Sequence, residues 1–259
     1  MKAVVVRPVV VWGGRELVGG EFSAQSALPR FVPSFASSPL GTYCVDTTDR
    51  TLSLTYDDGP NPDDTPRILD LLAERGRTAT FYVLGQQVKR HPQIVRRIVD
   101  EGHELALHGD THDSLLTMST RTAVRRIRDA KALVEDTAGT RLRTYRPPYG
   151  EHTLAQAFGI RALGLRLVNW SGDAVDWIDD EESAVAERSL AGVFPGAILL
   201  LHDHRGDPEK LEEGQRLPAF DRAGVLRRIL DGLDERDYET LTVKDLLAKH
   251  VNVRTHIRY

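Results

Sequence analysis

Two adjacent carboxylates, Asp57 and Asp58, lie in the segment TYDDGP. Asp-Gly-Pro favours turns, so the pair on its own reads as a turn. A second reading gives the two carboxylates different work: one ligates a cation while its neighbour stays free and takes a proton. Downstream, His108 and His112 form H-x-x-x-H around Gly109, Asp110 and Thr111. On a helical turn, positions i and i+4 share a face, which lets both imidazoles reach one cation. Two histidines and one aspartate leave coordination positions for water and a substrate oxygen, as a catalytic rather than a structural metal site requires. Zinc is the default ion for such a set, and mixed nitrogen and oxygen ligation also accepts cobalt, nickel or manganese. Cys44 is the single cysteine, so the chain has no intrachain disulfide and no thiolate-rich zinc site. Any metal must be held by His and carboxylate.

Three further segments carry chemistry-bearing residues. Arg146-Pro147-Pro148-Tyr149-Gly150 reads as a rigid turn, because Pro-Pro imposes extended geometry. There Arg146 can orient a carboxylate, and a rigidly held backbone N–H can face a developing oxyanion. Asp173-Ala-Val-Asp176-Trp177 reads alone as a solvated acidic loop with a packed Trp. The apolar strand AILLLHDH (197–204) delivers His202 to its end, where a histidine is ordinarily structural. His91, His152, His250 and His256 lack a partner of this kind and are expected at the surface or in caps. His103 falls near the start of its strand, away from the end that carries His108.

Strand-like and helix-like patterns alternate along the chain. Strands are expected at 51–56, 78–85, 103–108, 142–145, 165–170, 196–202 and 239–243. Helices are expected at 65–75, 92–102, 119–136, 151–163, 181–191, 219–235 and 243–249. Such alternation argues for a parallel sheet with helices outside, as a barrel or an open sheet. In those folds functional groups sit at the C-terminal ends of the strands. Asp57, Asp58, His108, Arg146, Asp173 and His202 each fall just after an expected strand.

The bulk composition is that of an ordinary globular protein: 259 residues, 41% hydrophobic and 28% charged, with a formal net charge of −4. That charge, spread along the chain, gives no broad reason to expect nucleic acid. No apolar run approaches the roughly 20 residues of a membrane span. The opening MKAVVVRPVVVW is broken by Arg7 and Pro8 and reads as a strand rather than a signal peptide, which makes the expected location cytoplasmic.

Taken in order, TYDDGP, H-x-x-x-H, RPPYG, DAVDW and LLH resemble the five motifs of the polysaccharide deacetylases (carbohydrate esterase family 4, the chitooligosaccharide deacetylase homology domain). The resemblance covers roughly residues 48–248. It implies a single-domain α/β fold, an irregular (β/α)7 barrel over residues 48–250, with a short β-rich extension at 1–47 and a tail at 251–259. It also implies hydrolysis of an N-acetyl group from an amino sugar. Asp58, His108 and His112 look like the metal ligands, and Asp57 like the base that activates water. Arg146 looks like the residue that positions Asp57, with Asp173 supporting Arg146. The backbone N–H of Tyr149 would face the oxyanion, Trp177 and Leu200 would wall the acetyl-methyl pocket, and His202 would protonate the leaving amine.

The chain also departs from the family pattern. Gly109 stands where the family usually has Ser or Thr, Tyr56 replaces the commoner Phe, and the polar stretch 204–220 is longer than the usual connection. The long loop and the N-terminus keep open a small N-acyl amino sugar as substrate in place of a chitooligosaccharide or peptidoglycan glycan. Two rivals use the same residues differently. A glycosidase built on Asp57 and Asp58 would need carboxyls about 5–10 Å apart and would leave the histidine pair idle. A catalytically silent carbohydrate-binding domain predicts loss of the base or the acid, yet Asp57 and His202 are both present.

Overall fold

The computed structural model describes residues 16–18, 21–23 and 41–255. The strand expected over residues 1–12 lies outside the described residues, as does His256. The elements in chain order are β1 (Glu16–Val18), β2 (Glu21–Ser23), β3 (Gly41–Asp46), β4 (Thr51–Asp57), α1 (Thr65–Glu74), β5 (Thr80–Leu84), α2 (Gly85–Arg90) and α3 (Pro92–Asp100). They continue with β6 (Glu104–Gly109), α4 (Thr120–Ala138), β7 (Thr144–Tyr145), α5 (Leu154–Ala162), β8 (Arg166–Leu167), β9 (Gly172–Asp173) and α6 (Glu182–Ala191). The last are β10 (Ile198–His202), α7 (Arg222–Asp234), β11 (Glu239–Thr240), α8 (Val243–Lys249) and β12 (Val251–Thr255).

Helix boundaries follow from local chemistry. Pro66 and Pro92 enter the first turns of α1 and α3, where a missing N–H costs nothing. Ser119 caps α4 by accepting from Thr122 N, and Gly139 closes it in the left-handed conformation. Thr153 and Gln156 form a capping box on α5. On α4 the buried residues Ala123, Ile127, Ala130 and Val134 repeat at helical spacing and form its inner stripe.

All pairings within the main sheet are parallel, in the order β8-β7-β6-β5-β4-β10-β9. The two ends of that path are one stretch of chain: β8 pairs with β7, and β9, four residues later, pairs with β10. Between them Val168 bridges Thr42, and Asn169 N donates to Thr42 O at 2.7 Å. The strand expected at 165–170 is therefore only Arg166–Leu167, broken off where β3 takes over the hydrogen bonding, and a second short strand follows beyond it at Gly172–Asp173. Seen as one strand, the two close the sheet on itself. β11 pairs with the start of β4, adding the seventh staff of an irregular (β/α)7 barrel.

Other differences from the sequence expectation have local causes. The strand expected at 78–85 stops at Leu84 because Gly85 opens α2. The strand expected at 239–243 ends at Thr240, since Thr242 caps α8 by accepting from Asp245 N. β12 pairs antiparallel with β3, so the expected extension and tail meet in one two-stranded sheet.

Side chains alternate across each strand. Leu54 and Tyr56 of β4, Phe81 and Val83 of β5, Leu105 and Leu107 of β6, and Leu199 and Leu201 of β10 join the large core under the helices. The opposite faces supply a second, smaller core inside the barrel from Tyr82, Ala106, Val168 and Ile198, plugged from below by Val243, Leu246 and Leu247 of α8. Glu104 anchors that plug, accepting from Thr80 Oγ1, Thr144 Oγ1 and Lys244 N at 3.0, 3.0 and 2.7 Å.

Candidate active site

The same alternation decides what reaches the barrel mouth. On β4 the inward parity is Ser53, Thr55, Asp57; on β6 it is Ala106, His108; on β10 it is Ile198, Leu200, His202. Register then fixes height, because His202 pairs with Asp57 and Leu200 with Thr55. β7 carries Thr144 inward, and two residues on Arg146 does the same. Functional side chains from distant parts of the chain thus meet at one rim.

Asp58 follows directly after β4 with φ 76°, a left-handed conformation that is uncommon for a residue with a side chain. The turn aims its carboxylate across the mouth. Oδ1 lies 3.3 Å from His108 Nε2 and 3.4 Å from His112 Nε2. Two ligand atoms each about 2.1 Å from a tetrahedral ion would stand about 3.4 Å apart. Asp58 Oδ1 is buried and has no hydrogen-bond partner among the described residues. His108 Nδ1 stands 2.8 Å from the Arg146 carbonyl, so it carries the proton and leaves Nε2 free as an acceptor. An orphaned carboxylate oxygen facing two imidazole nitrogens fits a divalent cation. Burial works against the charge on Asp58, but the imidazoles of His112 and His108 outweigh it and hold the carboxyl well below its usual range.

Asp57 lies beside this trio and is tied down elsewhere. Arg146 Nη1 donates to Asp57 Oδ1 at 2.7 Å and to Thr55 Oγ1 at 2.8 Å. Its remaining donors reach Asn169 O at 2.9 Å and Val168 O at 3.3 Å, and the guanidinium carbon lies 4.2 Å from the Tyr82 ring centroid. The guanidinium is fully buried. Asp173 is not among its acceptors. The resemblance made Asp173 a support for Arg146; instead Asp173 Oδ1 accepts from Val175 N at 2.8 Å, and burial pushes its carboxyl up to about 6.

The acidic residue that matters to His202 is Asp176. Asp176 Oδ1 lies 2.6 Å from His202 Nδ1, Oδ2 accepts from His202 N at 2.8 Å, and Arg222 Nη1 donates to Oδ2 at 3.1 Å. Burial disfavours the imidazolium, but Asp176 overrides it and His202 is pushed up to about 9. His202 is thus held in its protonated form at neutral pH.

Asp57, Asp58, His108, His112 and His202 line a cavity of about 610 Å³, within the range of small-ligand clefts. Tyr149, Asp173, Trp177 and Leu200 line it too, so each site residue named from the sequence is at this cavity or, as with Arg146, directly behind it. Trp177 stands edge-on to His202, with ring centroids 6.0 Å apart. Tyr149 adopts φ 58° and its ring lies 4.5 Å from His112. Sequence reasoning missed Asp207, whose Oδ2 accepts from Tyr149 Oη at 2.6 Å, and Gly206, whose N–H reaches Asp58. Nothing in the pattern of the polar 204–220 stretch marked either residue. His152, expected at the surface or in a cap, is buried against Gly150 O at 3.3 Å.

Residues 45–168 match the polysaccharide deacetylase family. The chitooligosaccharide deacetylase of Sinorhizobium fredii is 37% identical over 186 residues, 71% of this chain and 86% of that protein. The peptidoglycan-N-acetylglucosamine deacetylase PgdA of Listeria monocytogenes is 32% identical over 231 residues, 89% of this chain but 45% of that protein. This chain thus spans less than half the length of PgdA. A family 4 acetyl xylan esterase from Clostridium thermocellum, solved in complex with a cobalt ion, has a TM-score of 0.66 and 31% identity over 76% of this chain and 90% of that one. A curled parallel sheet with helices outside it and an Asp-His-His cluster that could hold a metal ion at its mouth defines the architecture as α/β, with a candidate metal site at the strand ends. The chain belongs to the polysaccharide deacetylase family, carbohydrate esterase family 4. Among the described residues no helix is long and apolar enough to cross a membrane.

Proposed function

We propose that this protein removes N-acetyl groups from the amino sugars of a chitooligosaccharide or peptidoglycan glycan. The observation that carries the reading is the placement of Asp57 and His202 at paired positions of adjacent strands, at the same cavity as the Asp58, His108 and His112 cluster. Those three residues would hold the ion, zinc in the first instance with cobalt, nickel or manganese as substitutes. A bound divalent cation supplies Lewis acidity there, polarising the amide carbonyl and lowering the pKa of water.

The chain's own residues supply the rest. Asp57, fixed by Arg146, takes a proton from the attacking water. The rigid turn at Tyr149 offers its backbone N–H to the oxygen that becomes negative, a donor type worth about 3–4 kcal/mol elsewhere. Trp177 and Leu200 exclude water around the acetyl methyl. His202, charged through Asp176, protonates the departing amine, which is otherwise a poor leaving group.

The test is acetate release from chitooligosaccharides, peptidoglycan fragments, acetylated xylan and small N-acetyl amino sugars, with and without chelator. The expected result is release from an N-acetylated glycan that chelation abolishes and zinc or cobalt restores. Release indifferent to chelator sinks the metal mechanism. Release from small N-acetyl sugars alone moves the substrate to the small-molecule reading, and no release from any returns the silent binding domain.

A further inference from the structure

The segment 205–210 packs against the Asp58, His108 and His112 cluster through Gly206 and Asp207. Arg205 is buried, and its guanidinium donates to the main-chain carbonyls of Trp177, Asp207 and Lys210, pinning the segment to the loop after β9. Gly206 then approaches so closely that a Cβ would stand 2.8 Å from His112 Cβ and 2.9 Å from Asp58 Oδ1. Its N–H donates to Asp58 Oδ2 at 2.8 Å, occupying the carboxylate oxygen that does not face the histidines.

Asp207 comes next. Its Oδ2 lies 3.6 Å from His112 Nδ1, and the same oxygen accepts from Tyr149 Oη at 2.6 Å, which in turn accepts from Lys210 Nζ at 2.8 Å. His112 Nδ1 is buried and has no hydrogen-bond partner among the described residues. The two histidines therefore differ. The Nδ1 of His108 is satisfied by a carbonyl of the barrel, whereas that of His112 faces only the carboxylate brought by the 204–220 loop. Gly109, between the two histidines in sequence, has no side chain to offer.

We propose that Asp207 is a positioning residue for the metal: its carboxylate takes the Nδ1–H of His112 when Nε2 engages the ion, while Gly206 N–H fixes Asp58. A closure of a few tenths of an ångström brings 3.6 Å into hydrogen-bond range. Carboxylate support of this kind orients the ring and raises its basicity as a ligand. The long loop is thus part of the metal site as well as a wall of the cleft. This proposal rests on reading Asp58, His108 and His112 as the metal ligands.

The experiment is a zinc titration of metal-free protein against a chromophoric chelator, comparing wild type with Asp207→Ala and Asp207→Asn, alongside thermal melts of the metal-free proteins. Asp207→Ala should bind zinc about 10–100-fold more weakly while its metal-free melt matches wild type. Asp207→Asn, which keeps an acceptor, should retain part of the affinity and carries the comparison if the alanine variant does not fold. Equal affinity in wild type and the variants, or a loss matched by a lower metal-free melting temperature, overturns the proposal. A wild-type chain that binds no zinc overturns the metal reading and this proposal together. A wild type that binds with variants that match it removes only the role of Asp207.

Discussion

The carboxylate of Asp176 holds His202 twice, accepting the main-chain N–H on one oxygen at 2.8 Å and facing ring Nδ1 with the other at 2.6 Å. Burial opposes the imidazolium, Asp176 outweighs it, and His202 is pushed up to about 9. A general acid works only while protonated, so the sign follows: turnover survives up to about pH 9 and falls above it. Asp176→Asn removes the charge that raises His202 and should move the alkaline limb of kcat/KM down to about 6.5 or below, towards the unperturbed histidine. A pH–rate profile checks it. An alkaline limb that stays in place in Asp176→Asn removes the acid role from His202.

Arg146 joins three parts of the barrel wall through one guanidinium: β4 by Thr55 and Asp57, β7 by its own position, and the interrupted closing strand by the carbonyls of Val168 and Asn169. Removing one partner of a buried pair leaves the other charge without compensation. Arg146→Met should therefore cost about 3–5 kcal/mol of stability, read from urea unfolding at unchanged slope. Arg146→Lys keeps the charge but loses the fork. It should retain most of the fold while kcat falls about 100-fold, because Asp57 is no longer held in place.

The barrel and its rim were legible because period and punctuation agree in this chain. Apolar strands ending in Asp57-Asp58, His108, Arg146 and His202 put the chemistry at strand ends, and parity in parallel strands made those positions face inward together. The partner of His202 was not legible. Asp173 and Asp176 are three residues apart, and what separates them is Val175 at φ 53°, a left-handed turn that sequence pattern does not announce for a β-branched residue. That turn leaves Asp173 accepting from Val175 N and swings Asp176 to His202. Asp207 escaped for another reason. A carboxylate in a long polar loop carries no periodicity, and its partner His112 is reached only through the folding of that loop across the mouth.

The two neighbouring aspartates should separate cleanly. Asp58→Asn removes a ligand from the cluster and should lose both metal and activity. Asp57→Asn leaves Asp58, His108 and His112 untouched and should keep the metal while turnover drops about 100- to 10,000-fold, the range of a general base. Metal content by mass spectrometry and acetate release, measured on the same samples, decide it. Metal lost from Asp57→Asn would mean that the roles of the pair are assigned the wrong way round.

Gly109 has a backbone reason as well as a missing hydroxyl. At φ 148° it occupies a conformation L side chains rarely adopt, and a Cβ there would stand 2.9 Å from Thr111 O, a main-chain atom that cannot swing away. Replacing glycine lowers the entropy of the unfolded chain, a gain of about 0.4–1 kcal/mol, but forcing a side chain into a sparsely populated region costs about 1–3 kcal/mol. Gly109→Ser, although it restores the residue type the family usually carries here, should therefore destabilise this protein by about 1–2 kcal/mol net. Since Gly109 immediately follows His108, the strain should also disturb the spacing of the two histidines and weaken zinc binding. Denaturant unfolding of the metal-free variant and a zinc titration measure the two effects separately. A Gly109→Ser protein as stable as wild type would mean that the loop from Gly109 to His112 relaxes into an ordinary turn without cost, and that its conformation is not what holds the second histidine in place.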